Sequence, residues 1–344
     1  MLMKTIRHLL TIAALLLMSN PNLFAQGPND SGTYYKNADG KKGEELKTAL
    51  CDIITAEHES LTYGSLWEHF ETTDKRSDGK VWDMYSNATN FTFVTDQDSG
   101  SGGTTEGDKF NREHSFPNSW FGGDKGSIMY SDLFHLYPTD KLVNNKRGNL
   151  PFGENIGESY KSIGGFSKIG ACTYAGSGKV KCFEPNDMYK GDFARTYFYM
   201  VTRYENEIVN WFQSYSDKDK EGLAKTLAGN KYPGLTDWQL NMLMEWSAKD
   251  PVSEDKEVPR NKAVYGIQHN RNPFIDYPGL EEYIWGDLKD VAFSYDNYQN
   301  PTGIITTKVD QHQQKNVMYN MAGQAVGKSY KGLVIVNGKK MVNK

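Results

Sequence analysis

Two polar clusters between Asn111 and Asn149 hold the side chains best suited to chemistry. The first reads Asn111-Arg112-Glu113-His114-Ser115-Phe116-Pro117, and the second Val143-Asn144-Asn145-Lys146-Arg147-Gly148-Asn149. A neutral imidazole titrates near neutrality and can take a proton from water, which makes His114 a candidate general base. A carboxylate and an amide oxygen are hard ligands suited to Mg2+ or Ca2+; Glu113 offers the first, and Asn144 or Asn145 the second. Arg147 has the planar fork that fits a phosphate. Such a set suits hydrolysis of a phosphodiester with one metal, the imidazole making the nucleophile. No member is diagnostic alone. A lone His is more often a structural hydrogen-bonder, the Glu-His pair lacks the helical spacing of a HExxH zinc site, and the second cluster alone could be a solvated helix end. Their joint occurrence carries the reading.

Apolar residues frame both clusters: Phe110, Phe116 and Trp120 beside the first, Leu133, Leu136 and Val143 beside the second. On a strand, Glu113 and His114 would face opposite sides unless the strand bends or ends there, and Pro117-Asn118 supplies a turn. Thr139 or Asp140 is expected to cap a short helix bearing Asn144 and Arg147. Helical spacing marks residues 42–58, with Leu46, Leu50, Ile53 and Ile54 on one face, and residues 61–72 and 237–248. It also marks residues 192–212, where Phe193, Tyr197, Met200, Val201, Tyr204 and Ile208 recur behind an Asp192 N-cap. Residues 255–268 read as partly helical, with Pro259 breaking or opening the helix. Short strands are expected at 80–86 and 91–94, and a Gly/Ser/Thr loop at 96–107. Beyond a linker at 297–303 the chain turns to short β-type runs, with Asn337-Gly338 a hairpin-turn signal.

The two clusters, with Asp132-Leu133-Phe134-His135-Leu136-Tyr137-Pro138-Thr139-Asp140 between them, resemble the endonuclease I family of secreted or periplasmic nonspecific nucleases. The similarity continues through Val81-Trp82-Asp83-Met84-Tyr85-Ser86, Glu184-Pro185, Gly191-Asp192-Phe193-Ala194-Arg195 and Asn270-Arg271-Asn272-Pro273-Phe274-Ile275-Asp276, spanning roughly residues 40–287. The resemblance implies an α+β fold: a ββα-metal (His-Me finger) core embedded in a mainly helical domain at 26–295, followed by a linker and small C-terminal β-tail at 296–344. It implies His114 as general base, Glu113 and Asn144 as metal ligands, Mg2+ as the usual ion with Ca2+ or Mn2+ as substitutes, and 5′-phosphate products. Arg147, taken as catalytic, and Asn149 match family positions; Arg112, Lys146 and Asn149 are expected to touch the substrate, DNA and also RNA. The chain departs from the family at Phe134, where relatives often carry His, and Pro259 falls where they tend to continue a helix. The tail resembles sorting segments of the type IX export route.

With 344 residues, 38% hydrophobic and 24% charged, the chain is globular in composition with room for a sizeable core. Residues 1–25 read as a signal peptide, with Lys4 and Arg7 ahead of an apolar run at 9–18 too short to span a bilayer. An exported protein is expected, with no later membrane-spanning run; it would be periplasmic, surface-held or secreted. Losing the two leader cations takes the net charge from −4 to about −6, unlike a typical duplex binder. A local groove of Arg112, Lys125, Lys141, Lys146 and Arg147 would have to serve a backbone-directed enzyme. Cys172 and Cys182 bracket a Gly-rich turn and are expected to pair in an oxidising compartment, leaving Cys51 buried. Two other readings stand beside a nuclease: an inactive relative that binds nucleic acid or a surface, and a glycan hydrolase using Asp83 and Glu113.

Overall fold

The computed structural model describes residues 27–211, 217–301, 318–320, 325–326, 331–336 and 339–343; the expected leader and the Asn337-Gly338 turn lie outside them. The chain divides into two units, Met1–Asn300 and Pro301–Lys344.

In chain order the first unit contains α1 (Gly43–Ala56), α2 (Leu66–Thr73), β1 (Phe110–His114), β2 (Leu136–Asp140), α3 (Lys141–Arg147), β3 (Tyr160–Lys161), β4 (Lys168–Ala171) and β5 (Lys181–Glu184). There follow α4 (Lys190–Arg203), α5 (Ile208–Trp211), α6 (Asp217–Thr226), α7 (Asp237–Lys249), α8 (Glu257–Gln268), α9 (Pro273–Asp276) and α10 (Leu280–Ile284). The order gives two small antiparallel sheets, β1–β2 and β3–β4–β5, among helices. This is mixed α+β architecture, mainly helical in its second half.

The core is built around α4. Every residue from Gly191 to Arg203 is buried, and the helix packs on α1, α7 and α9. The sequence spacing predicts an amphipathic helix; neighbours on several sides enclose its polar face too. Enclosed charges are paired: Arg195 donates to both carboxylate oxygens of Glu257 at 2.6 and 2.8 Å, and Lys256 pairs with Asp192. The expected Asp192 cap is therefore a first-turn residue held by Lys256; Tyr189 takes the N-cap position. The single helix expected to 212 ends at Arg203, turns, and resumes as α5. Pro259 sits inside the first turn of α8, where a missing N–H costs nothing.

The strands expected at 80–86 and 91–94 do not form. Asp83 accepts the amide of Tyr85 at 2.8 Å, a local bond that bends the backbone, and Val94 lies at φ 67°. The Cys172–Cys182 disulfide is also absent; both are thiols. Cys182 stands opposite Gly170, while the Cys172 amide bonds Val180. The two are thus diagonal neighbours, yet their sulfurs lie side by side against Gly153 and stay unbonded, the neighbouring Cys182 thiol lowering the Cys172 pKa to about 6.

In the second unit the strands are β6 (Met318–Asn320), β7 (Ala325–Val326), β8 (Gly332–Val336) and β9 (Lys339–Asn343). They form one antiparallel sheet in the order β7-β6-β8-β9, with Val336 opposite Lys339.

Buried Arg260 ties this frame to the clusters. It donates to Asp74 at 2.9 and 3.3 Å and to the carbonyls of Leu133 and Leu136, each at 2.9 Å. Removing it strands the Asp74 carboxylate and two carbonyls. Arg260→Ala should lower unfolding free energy by about 3–5 kcal/mol, read by urea denaturation; a loss under about 1 kcal/mol would contradict the role.

Candidate active site

β1 and β2 pair antiparallel with Phe110 opposite Asp140 and His114 opposite Leu136, and α3 follows β2 directly. The junction is fixed by carboxylates. Asp140 Oδ1 accepts the Val143 amide at 2.9 Å, the N-cap bond expected of it, and its Oδ2 accepts the Gly107 amide at 2.7 Å. The Asp140 amide in turn donates to Asp83 Oδ2 at 3.0 Å. The helix ends where Gly148 adopts φ 56°, a conformation that favours glycine.

Asn144 and Arg147 lie one turn apart on α3 and share a face. Asn111 and Glu113 lie two apart on β1 and share a face too. These faces meet. The Asn144 amide donates to Asn111 Oδ1 at 2.8 Å, and Arg147 Nη1 donates to Glu113 Oε1. Arg147 also donates to the carbonyls of His114 at 3.1 Å and Ser115 at 2.6 Å, and Tyr85 donates its hydroxyl to Glu113 Oε1 at 2.8 Å. Both donors to Glu113 fall on Oε1. Among the described residues, no hydrogen bond reaches Glu113 Oε2 or Asn144 Oδ1. The seam therefore offers one carboxylate oxygen and one amide oxygen, hard donors that fit a divalent ion. Among the described residues no three His, Cys, Asp or Glu side chains cluster. An ion here would complete its shell with water and substrate oxygens, as Mg2+ does readily.

His114, the last residue of β1, points away from Glu113. Its Nε2 lies 3.0 Å from the Tyr130 carbonyl. A carbonyl only accepts, so Nε2 carries the proton and Nδ1 presents its lone pair, 3.3 Å from the Asn118 amide nitrogen. Tyr63 stacks on the imidazole at 5.7 Å and 18°. Burial, with His135 alongside, lowers the imidazole pKa to about 3, so the ring is neutral at physiological pH.

Several of the expected site residues are engaged within the protein. Arg147 is buried, 1% exposed, and its fork is turned inward onto Glu113 and two carbonyls rather than toward a phosphate. Arg112 lies 3.6 Å from the Tyr63 ring centre and 4.4 Å from that of Trp67, and donates to the Tyr63 carbonyl; it braces the aromatic cover of His114. Lys141 pairs with Asp98 at 2.9 Å. Of the five cations of the expected groove, Lys125 and Lys146 are the exposed ones; Asn149 is exposed beside them in sequence. Asn145 is exposed at α3 and takes no part in the seam as described. Phe134, where the resemblance expects His, is buried against Tyr199 at 4.6 Å. Arg195 and Arg271 are scaffold residues, the latter bonded to Asp276 at 2.6 and 2.8 Å. Sequence reasoning missed the roles of Tyr85, Tyr63 and Asn118. Tyr85 lies in the Val81–Ser86 stretch and Asn118 in the turn after Pro117, but nothing in their spacing shows what they touch.

Comparison with known proteins assigns the class. The family model described as Endonuclease I matches residues 42–279, and the chain belongs to that family: it is a nuclease. It is similar to the protein named extracellular ribonuclease of Bacillus subtilis (strain 168), with 36% identity over 261 residues, 74% of this chain and 79% of the relative. The extracellular ribonuclease of Bacillus amyloliquefaciens is 35% identical over 260 residues, with the same two coverages, 74% and 79%. The protein named Endonuclease-1 of Buchnera aphidicola subsp. Acyrthosiphon pisum (strain APS) is 28% identical over 145 residues, 42% of this chain and 44% of the relative. Among the described residues no helix is long and apolar enough to cross a membrane.

The β2–α3 junction has a pH signature. Burial raises the Asp83 carboxyl to about 7, partly offset by the Tyr85 amide and reinforced by Asp140. Unfolded, such a group titrates near 3.9. Between about pH 4 and 7 the folded chain therefore binds more protons at Asp83 than the unfolded chain, and its contribution to stability falls as pH rises. Melting temperatures across that window should show the decline, and Asp83→Asn should flatten it; an equal slope in both proteins would rule Asp83 out as its source.

Proposed function

We propose that the chain is an exported, metal-dependent endonuclease that hydrolyses phosphodiester bonds of DNA and RNA with little sequence preference. The observation that carries this is the seam between β1 and α3, where the uncommitted Glu113 Oε2 and Asn144 Oδ1 stand on facing elements beside a neutral His114. The order β1–β2–α3 supports reading the site as a ββα-metal finger. RNA is included because the two Bacillus relatives are named ribonucleases, and an extracellular site of action is supported by their names and by the leader-like start of the chain.

Once water displaces the Asn118 amide from its lone pair, His114 Nδ1 takes a proton from that water while Nε2 stays bonded to Tyr130, which holds the productive tautomer through the step. Asn118 orients the ring before water arrives, and the Tyr63 stack keeps it from turning. Arg147 and Tyr85 fix one oxygen of Glu113, leaving the other without a hydrogen-bond partner among the described residues. A divalent ion held by Glu113 and Asn144, Mg2+ by preference, would supply stabilisation of charge on the phosphate and the leaving oxygen. Departure of the 3′ oxygen would leave a 5′-phosphate. Backbone-directed contacts through residues such as Lys125 and Lys146 carry no base information, and sparse exposed cations near the seam imply modest, salt-sensitive affinity.

Digestion of plasmid DNA and a long RNA with Mg2+, with and without EDTA, tests the reading. Cleavage should occur, stop with EDTA, and leave 5′-phosphate ends. His114→Ala should lose about 10²–10⁴-fold in kcat with the melting temperature retained, and Asn144→Ala should raise the Mg2+ concentration needed. No cleavage with any divalent ion would favour an inactive binder instead.

A further inference from the structure

Apart from the seam, a cavity of about 220 Å3 is lined by Trp82, Phe166 and Tyr189, with Asp83 at its wall and Arg76 and Asn87 also bordering it. The aromatic walls are fixed before any ligand arrives. Trp82 Nε1 donates to the Tyr189 hydroxyl at 2.9 Å, and the Phe166 and Tyr189 rings meet at 6.2 Å and 65°. The Lys256 ammonium lies 5.9 and 5.4 Å from the Trp82 and Tyr189 ring centres while paired with Asp192. Trp82 and Phe166 are each half-buried, so their rings keep exposed surface.

The chemistry selects among ligands. Asp83 accepts from the Tyr85 amide, the Thr89 hydroxyl and the Asp140 amide; it gives an anion no donor and repels one when ionised. A phosphate is therefore a poor occupant, whereas a flat, neutral ring with polar edges suits aromatic walls. The volume admits one such ring system and excludes a base pair. Arg76 holds Asp78 through Nε and Nη2, a partly exposed cation beside the cavity. The cavity is also tied to the catalytic seam: Asp83 bonds the β2–α3 junction, and Tyr85, two residues on, bonds Glu113.

We propose that this cavity is a nucleobase subsite, taking one unpaired base of the substrate strand among Trp82, Phe166 and Tyr189, with Arg76 meeting its backbone phosphate. The inference rests on the nuclease reading and deepens it. Stacking on aromatic walls tolerates any base, so the subsite favours single-stranded over paired substrate without imposing sequence.

Binding measured in EDTA, with adenosine 5′-monophosphate, inorganic phosphate and a single-stranded oligoribonucleotide as probes, tests it. The nucleotide should bind and phosphate alone should not. Phe166→Ala should weaken nucleotide and oligonucleotide binding by about fivefold or more, with the melting temperature retained. Arg76→Gln, on the surface, should weaken the oligonucleotide. With Mg2+, both variants should raise KM for single-stranded oligonucleotides while kcat holds. Equal affinity for nucleotide and phosphate, or unchanged binding and KM in both variants, overturns the subsite. Loss of all wild-type cleavage would instead strike the nuclease reading, since the EDTA arm reads the cavity independently.

Discussion

The enclosed Arg147 guanidinium is the constraint on which the site depends. It starts from the last turn of α3 and reaches the end of β1, where it bonds the Glu113 carboxylate and the carbonyls of His114 and Ser115. The Phe152 ring lies 4.4 Å from it. A buried cation of this kind is tolerated only with its carboxylate partner and hydrogen bonds in place. Helix and strand therefore cannot slide past one another without stranding charge. Because Arg147 lies one turn from Asn144, the same contact sets the register that brings Asn144 to Asn111 and to the Glu113 side of the strand.

The rest of the first unit supports that contact by burying polar groups in satisfied sets. Asp132 accepts from Tyr199, Tyr204 and Gln268 at 2.7–2.8 Å, beneath the turn that leads into β2. Arg260 holds the carbonyls on either side of that turn. Central α4 supplies Tyr197, whose hydroxyl donates to the Ser115 carbonyl at 3.2 Å. The polar groups around the clusters are thus held by α4, by α8 and by the Asp83–Tyr85 segment. A short sheet and a two-turn helix can present the groups of the candidate site with fixed geometry because of this backing.

Much of this was readable in the sequence where the signal is local. The apolar spacing of Leu46, Leu50 and Ile54 gives α1, and Asp140 ahead of Val143 gives the α3 cap. Joint occurrence of Glu113, His114, Asn144 and Arg147 carries the family, which the matching residues 42–279 establish. What stayed hidden depends on tertiary contact. An arginine fork reads the same whether it faces phosphate or carboxylate; burial alone turns Arg147 inward. Tyr85 reaches Glu113 from a segment that looks like a strand, since Asp83 diverts its backbone bonds. The loop between Cys172 and Cys182 does bring the two thiols together, but nothing in the spacing tells whether they bond, and here they remain free.

The central claim is spatial: Glu113 and Asn144, held by one buried arginine and its strand, offer their free oxygens to a single cation. Anomalous scattering from a crystal grown with Mn2+ addresses it directly. The account predicts a peak bonded to Glu113 Oε2 and Asn144 Oδ1 at roughly 2.0–2.3 Å. A cation bound elsewhere in the chain, with neither oxygen in its shell, would contradict it.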